Sequence, residues 1–199
     1  MKIYEGKTEE EAVNAACQDL GVTQDHLHYH IIEEKKGLFS KKVVIECYID
    51  SMVEDYINEF VRRTLTNMDF EVETASYKQD DRIYCNINTD NNSILIGKGG
   101  VILRALNFIT KNAVSTTFNE RIEISLDING YKESRYQKVT AMAKRIGKQV
   151  QRSHIEVKLD PLPADERKVM HQVIAEMDHL KTESKGEGRN RYITISYVD

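Results

Sequence analysis

The spacing of apolar residues restricts the fold of this chain more than any other feature, because it switches repeatedly between two periods. Apolar side chains three or four residues apart, the spacing of a helix face, recur in residues 12–20, 52–65, 101–113 and 139–150. Strict alternation, the spacing of a half-buried strand, is clearest in residues 121–128. The sequence has no internal repeat and no long linker, so these segments together predict an α+β protein.

The order of the predicted elements divides the 199 residues into three small modules in series. Residues 1–50 predict a β-α-β-β module, whose helix begins after Thr8 with Glu11 completing a capping box. Residues 51–129 predict a helix, two strands, a short helix, a glycine loop, a helix and a strand. The elements predicted for residues 130–199 are a helix at 131–152, a strand at 155–159, a helix at 163–177 and strands at 179–184 and 190–198.

The net charge of −4 is distributed unevenly, and its distribution says more about partners than its sum does. Residues 1–60 carry a net charge of −7, residues 61–129 a net charge of −1 and residues 130–199 a net charge of +4. A basic region attracts polyanions and an acidic region repels them. We therefore expect the last module to approach nucleic acid. We expect residues 1–50 to contact protein instead of RNA, through Leu38 and Phe39 beside the turn at Gly37.

The composition disfavours several classes of protein. The N-terminus lacks the apolar stretch of a secretory signal, and no run approaches the roughly 20 apolar residues that a membrane span needs. Cys17, Cys47 and Cys85 lie too far apart for paired metal ligands, so we predict reduced thiols in the cytoplasm. The phosphate-binding loop of nucleotide hydrolases does not occur, and neither does a recognisable catalytic motif. We therefore predict no enzyme activity and no cofactor.

A glycine loop lies between two predicted helices, at Gly97, Lys98, Gly99 and Gly100. Glycines three residues apart let a nucleic-acid backbone approach closely, because no Cβ intervenes. The following helix offers unpaired N–H groups to phosphate, and Lys98 adds a cation. Taken alone, this glycine spacing is more often a simple turn. The candidates for an apolar groove that holds bases are Ile94, Leu95, Ile96, Leu103 and the strand at 122–126.

Two sets of histidine-containing residues invite a functional interpretation. Arg167 and His171 share one helix face, where a guanidinium suits bidentate phosphate contact and an imidazole can bond a phosphate or stack on a base. The open alternative is that both only brace the helix against the sheet. Alternating histidines on a strand can bind zinc or nickel, but no fourth ligand lies nearby in the sequence. We therefore predict no metal site and a solvated strand face at His26, His28 and His30, opposite Leu27, Tyr29 and Ile31.

Several stretches together resemble a known family. The run ILIGKGG, with a helix–strand–strand prefix and a helix after it, resembles the G-x-x-G loop of a type II KH domain. The stretches LDPLPADERKVMH and TESKGEGRNRYITI resemble the Arg-xxx-His domain, which binds single-stranded nucleic acid. With GKTEEEA, KKGLFS and NGYKESR, they complete a resemblance to the bacterial Jag family, also called KhpB or EloR. The family loop often has two basic residues where this chain has Lys98 and Gly99.

The resemblance implies sites, partners and a role. It places RNA contacts at the glycine loop and at Arg167 and His171, and candidates for supporting phosphate contacts are Lys181, Arg189 and Arg191. It implies single-stranded RNA as the ligand, with single-stranded DNA as the open alternative. It further implies an RNA chaperone or post-transcriptional regulator linked to cell elongation and cell-wall homeostasis. The implied protein partners are a small KH protein of the KhpA kind and a YidC/SpoIIIJ-type insertase. The alternative function is a protein–protein adaptor at the insertase or division machinery, with vestigial nucleic-acid binding.

Overall fold

The structure, a computed structural model, describes residues 1–36 and 41–199. The described residues form helices and three separate three-stranded sheets, so the predicted α+β class is confirmed. The chain divides into two compact units, unit 1 at Met1–Asn129 and unit 2 at Gly130–Asp199. The limits of the three modules, 1–50, 51–129 and 130–199, stay a prediction.

The first sheet of unit 1 has the strand order β1 (Lys2–Gly6), β3 (Lys41–Tyr48), β2 (His28–Lys36), and both pairings are antiparallel. Helix α1 (Glu9–Leu20) packs on this sheet, and its capping box forms as predicted. The Glu11 N–H donates to the Thr8 hydroxyl at 3.2 Å, and the Glu11 carboxylate accepts from the Lys7 N–H at 2.8 Å. The core residues here are Ala12, Val13, Ala16, Leu27, Val43, Ile45 and Cys47. The predicted protein contact at Gly37, Leu38 and Phe39 lies outside the described residues.

The second sheet of unit 1 has the order β4 (Val72–Gln79), β5 (Arg82–Thr89), β6 (Glu123–Ile128). β4 and β5 pair antiparallel, while β5 and β6 pair parallel and are joined by helices α3 (Asn92–Ile96) and α4 (Val101–Phe118). Helix α2 (Asp50–Thr66) precedes the sheet, so the predicted order of elements is confirmed. The strand residues that alternate into the core are Ile83, Cys85, Ile87, Ile124, Leu126 and Ile128.

Unit 2 packs two helices, α5 (Tyr131–Ser153) and α6 (Ala164–Ala175), on a sheet of antiparallel strands. The strand order is β7 (Val157–Lys158), β9 (Tyr192–Tyr197), β8 (Leu180–Lys185). The strand predicted at 155–159 is shorter than expected, because Ile155 is 68% exposed and has no strand partner to pack on. The buried core consists of Val139, Ala143, Ile146, Val150, Met170, Ile174, Ile193 and Ile195.

The prediction of a solvated histidine face on β2 is wrong. His26 lies in a 3-10 turn before the strand, so the three histidines do not share a strand face. The His28 ring stacks on Tyr48 with 4.9 Å between ring centroids, and His30 Nε2 lies 3.4 Å from the Phe118 carbonyl oxygen. The end of α4 therefore lies against this face. In residues 1–36 and 41–199, no cluster of three or more His, Cys, Asp or Glu residues could hold a metal ion.

One helical segment of the described chain, Asn92–Phe118, is long and apolar enough by length and composition alone to cross a membrane. Length and composition alone are weak evidence for a span, so the expectation that no run approaches one is not overturned. The segment contains Lys98, Arg104 and Lys111, and it is interrupted where Gly97 and Gly99 have positive φ angles between α3 and α4. α4 also buries one side in unit 1, through Leu103, Leu106, Thr110, Val114 and Phe118.

Candidate nucleic-acid interface

The glycine loop joins α3 to α4 in a conformation that side chains would disturb. Gly97 has φ +70°, and a Cβ on it would lie 2.7 Å from Cγ1 of Ile102. Both observations require glycine at this position. Gly99 has φ +60° but faces open space, so its conformation alone favours glycine there.

Two cations lie at this loop. Lys98 is exposed at the tip, and Gly99 beside it is exposed as well. The Arg104 guanidinium donates from Nη1 to the Gly99 carbonyl oxygen at 2.7 Å, which holds the loop against the first turn of α4. Arg104 was not among the residues predicted from the sequence. Its position five residues after Gly99, one turn into the helix, was the available signal.

The predicted apolar groove is only partly formed by the expected residues. Leu95 and Leu103 are each 2% exposed and belong to the core, so their assignment to the groove is wrong. Ile94 is 56% exposed, and α4 carries an exposed apolar face that was not predicted. We name it the α4 apolar face, and it consists of Val101, Ile102, Phe108 and Ile109.

Arg167 and His171 lie on α6, half-buried beside β8. Both imidazole nitrogens have a hydroxyl neighbour: Nδ1 lies 2.7 Å from Thr182 Oγ1, and Nε2 lies 2.8 Å from Ser184 Oγ. Burial lowers the pKa of His171, and the positive charges of Arg167 and then Arg191 lower it further. The imidazole is therefore held neutral between two hydroxyls and two guanidinium groups.

Arg167 itself donates from Nη1 to the Leu162 carbonyl oxygen at 2.6 Å. A guanidinium has five N–H donors in a fixed fork, so this bond anchors the group and leaves other donors for an anion. Arg191 follows the 3-10 turn at Gly188–Asn190 and is exposed. Its carbonyl oxygen accepts from the Leu162 N–H at 3.2 Å, and Leu162 in turn accepts from Arg167. This backbone link brings Arg191 to the segment that holds Arg167, so Arg167, His171 and Arg191 form one cluster.

The other two predicted supporting residues are placed differently. Arg189 is exposed within the turn that precedes Arg191. Lys181 lies next to Thr182 in β8. Because successive strand side chains point to opposite faces and Thr182 points to His171, Lys181 points away from the cluster.

An ion pair with a buried carboxylate joins α6 to α5. Glu166, next to Arg167, is 3% exposed and accepts two hydrogen bonds from Arg135 of α5, at 2.8 and 3.0 Å. This bidentate pair raises the pKa of the Arg135 guanidinium. Arg135 therefore fixes α6 against α5 and is not a surface cation of the basic region. No local sequence pattern indicates a pair whose members are 31 residues apart.

Comparison with known proteins assigns two of these regions to families. The Jag N-terminus family matches residues 4–49, and the R-three-H domain, the Arg-xxx-His domain, matches residues 137–197. The cluster on α6 lies inside the second match, and the glycine loop lies between the two.

Relatives that align along nearly the whole chain share one name. RNA-binding protein KhpB of Clostridium symbiosum is 30% identical over 202 residues, covering 98% of this chain and 91% of that protein. RNA-binding protein KhpB of Bacillus subtilis is 28% identical over 203 residues, covering 96% of each chain. The Streptococcus pneumoniae protein of the same name is 26% identical, and the alignment covers 98% of this chain but 57% of that protein.

Proposed function

Because this chain belongs to the Jag family, whose relatives are named RNA-binding protein KhpB, we propose that it binds single-stranded RNA without catalysing a reaction. The observation that carries the proposal is the cluster of Arg167, His171 and Arg191 in the segment that matches the R-three-H domain. Two guanidinium groups beside a half-buried ring form a surface suited to a phosphate.

Each member of the cluster has a distinct proposed role. Arg167 and Arg191 bind phosphate directly, because guanidinium groups match phosphate oxygens in pairs. His171 acts mainly as a positioning residue, because its two nitrogens lie against Thr182 and Ser184. A neutral imidazole accepts from one hydroxyl and donates to the other, and the hydroxyl that accepts keeps its own O–H to offer outward.

The glycine loop supplies the proposed second contact, as part of a type II KH domain. The first N–H groups of α4 have no side-chain cap, and Lys98 lies exposed beside them. Such a helix start attracts phosphate through its unpaired N–H groups and its dipole. Arg104 supplies the second cation that the family loop often carries next to its first.

Fluorescence anisotropy of a labelled oligouridine of about 20 nucleotides tests the proposal, because binding that neutralises phosphates falls steeply with salt. We expect salt-dependent binding by the full chain and a several-fold weaker affinity for Arg167→Ala. The matched control is Arg62→Ala, an exposed arginine on α2. RNA recovered at unchanged length after incubation with Mg²⁺ would agree with the absence of catalysis. A flat salt dependence would favour the adaptor function instead.

The α4 apolar face supports a proposal for the protein partner, a small KH protein of the KhpA kind. Phe108 is 66% exposed and Ile109 44%, on the side of α4 opposite its buried residues. Contiguous exposed apolar residues on a folded domain usually mark an interaction surface. We expect Phe108→Glu to abolish complex formation in size-exclusion chromatography with light scattering. Thr116→Glu, two turns further along the same exposed side, should leave the complex intact.

The cellular role is proposed from the family resemblance. It is an RNA chaperone or post-transcriptional regulator in the cytoplasm, linked to cell elongation and cell-wall homeostasis. The three cysteines are free thiols, two of them buried, which agrees with a reducing compartment. Contact with a YidC/SpoIIIJ-type insertase rests on the resemblance alone. Co-purification of the insertase with the chain, and its loss on deleting residues 1–50, would test that contact.

A further inference from the structure

Helix α5 has two opposite faces with contrasting chemistry. Val139, Ala143, Ile146 and Val150 are buried in the core of unit 2. The exposed side carries what we call the α5 basic face: Lys138, Lys144, Arg145, Lys148 and Arg152. At about 100° per residue, these five cations occupy an arc of about 120° directly opposite the buried residues.

The only acidic residue of α5 is Glu133 in its first turn, before the α5 basic face begins. From Gln137 to Arg152 the sequence contains no Asp or Glu. Within residues 1–36 and 41–199, none of the five cations forms a salt bridge. A cation in the last turn stabilises a helix end, but this effect fades within one turn, whereas these cations extend over about 21 Å.

A stack of aromatic rings, made of one half-buried tyrosine and two exposed histidines, follows the C-terminal end of α5. His154 caps α5 two residues after Arg152, and its ring lies 3.8 Å from that of Tyr197, nearly parallel at 15°. The His179 ring is also nearly parallel to Tyr197, at 5.6 Å and 18°. Both histidines are exposed. Tyr197 pairs with Leu180 at the start of β8, whereas His171 contacts Thr182 and Ser184 further along.

We propose that the α5 basic face and the His154–Tyr197–His179 stack form a second contact surface for single-stranded RNA, separate from the Arg167 cluster. The phosphates bind along the helix and an unstacked base lies on the rings. Cations beside exposed aromatic rings are the combination with which proteins hold single strands. The inference rests on the proposed RNA-binding function and extends it to a surface that this function does not require.

A single strand fits this surface better than an anionic membrane does. The exposed positions between the cations carry Ala141 and Gln149, so no bulky apolar side chain on this face could enter a bilayer. A helix that lies in a membrane interface needs such an apolar side, and the apolar side of α5 is already buried in the core. A double-stranded RNA would leave the ring stack without an unpaired base.

The test compares full-length Lys144→Glu with Lys148→Glu against a control with the same change in charge, Arg62→Glu with Arg63→Glu, both exposed on α2. Anisotropy is measured on the labelled oligouridine over a series of salt concentrations. We expect several-fold weaker binding and a salt slope lower by about 1.4, at about 0.7 for each single-strand phosphate that is no longer neutralised. The neutral pair Lys144→Gln with Lys148→Gln should show a similar slope change. That result would show that the effect does not come from misfolding caused by charge reversal.

The proposed stacking of a base on the rings is tested separately, by fluorescence. An oligonucleotide containing 2-aminopurine loses fluorescence when that base stacks, so the wild-type chain should quench it. We expect His154→Ala with His179→Ala to reduce the quenching, and the control His26→Ala, also exposed, to leave it unchanged.

Three outcomes would overturn the inference. If the α5 variants match their control in affinity and slope while the wild type binds RNA, the surface is not used and the proposed function stands. If the wild type does not bind the oligouridine at all, the proposed function fails and the inference fails with it. If the α5 variants lose binding to phosphatidylglycerol vesicles but not to RNA, the face is a membrane surface.

Discussion

Lys98 and Gly99 are the exposed residues at the tip of the glycine loop, where a change of charge should alter binding more than stability. We expect Lys98→Asp with Gly99→Asp to weaken RNA binding at least several-fold, because two carboxylates would face phosphate at the start of α4. Aspartate is among the few non-glycine residues that tolerate the left-handed conformation of Gly99.

The control for this change is Arg62→Asp with Asn67→Asp, which alters the net charge by the same amount at an exposed position of α2 and at its exposed C-cap. Anisotropy gives the affinity, and circular dichroism gives the folded fraction of each variant. Equal affinities of the two folded double variants would remove the loop from the binding surface.

His171 should couple RNA binding to pH. Its lowered pKa means that the folded, RNA-free chain favours the neutral ring, so stability is full above the ordinary value of about 6.5 and falls as pH drops below it. A bound phosphate would offset the charges of Arg167 and Arg191 and so favour the protonated ring. RNA binding should therefore take up a proton, and affinity should rise as pH falls from 7 toward the lowered pKa.

Binding measured in buffers of different ionisation enthalpy reports this proton uptake by calorimetry. His171→Gln should reduce it, and His26→Gln, an exposed histidine in unit 1, should not. Proton uptake that persists unchanged in His171→Gln would assign the titration to another group.

At the scale of elements, the position of α6 depends on the buried pair between Arg135 and Glu166. Arg135→Met would leave the Glu166 carboxylate buried without a partner, and we expect the free energy of unfolding to fall by about 3 kcal/mol. Arg135→Met with Glu166→Met should cost less than the single change, because no unpaired charge remains. Urea unfolding followed by circular dichroism measures both, and a double variant less stable than the single one would contradict this role of the pair.

What the sequence could predict at this scale was local. The capping box of Thr8 and Glu11 and the alternation up to Ile128 depend on neighbours within a few residues. The capping box forms as predicted, and the alternation holds from Glu123, where the strand begins. The errors depended on packing between distant segments. Leu95 is buried under α4, and His30 meets Phe118, 88 residues away. The hydrophobic periodicity of one segment contains no information about such contacts with distant segments.

The candidate site likewise has features that the local sequence could predict and features that depend on contacts between distant segments. The sequence suggested that Gly97 lets a nucleic-acid backbone approach closely, and that contact stays a prediction. The structure shows a different reason for glycine there, because Ile102 excludes a Cβ. The spacing of Arg167 and His171 placed them on one face, but Arg191 joins them only through the fold, because its carbonyl oxygen accepts from the Leu162 N–H. Lys181 was misjudged as a neighbour because one step along a strand reverses the direction of a side chain.

At the scale of the whole molecule, only two residues separate the last strand of unit 1 from the first helix of unit 2. β6 ends at Ile128 and α5 begins at Tyr131. If both proposed sites bind RNA, a strand held at the glycine loop would therefore be kept at a high local concentration near the Arg167 cluster. Tethered sites can gain on the order of a hundredfold in affinity over either site alone when both engage one ligand.

We therefore expect Arg167→Ala to reduce affinity more for a long single strand than for one of about four nucleotides, which fills only the loop of a KH domain. The salt slope for the long strand should also be steeper, because more phosphates are neutralised. The control Arg62→Ala should leave the ratio of the two affinities unchanged. Equal losses on both strand lengths, with equal slopes, would mean that the two sites bind independently or that one of them does not bind RNA. Asn129 and Gly130 would then join the two units without coupling RNA binding at one site to RNA binding at the other.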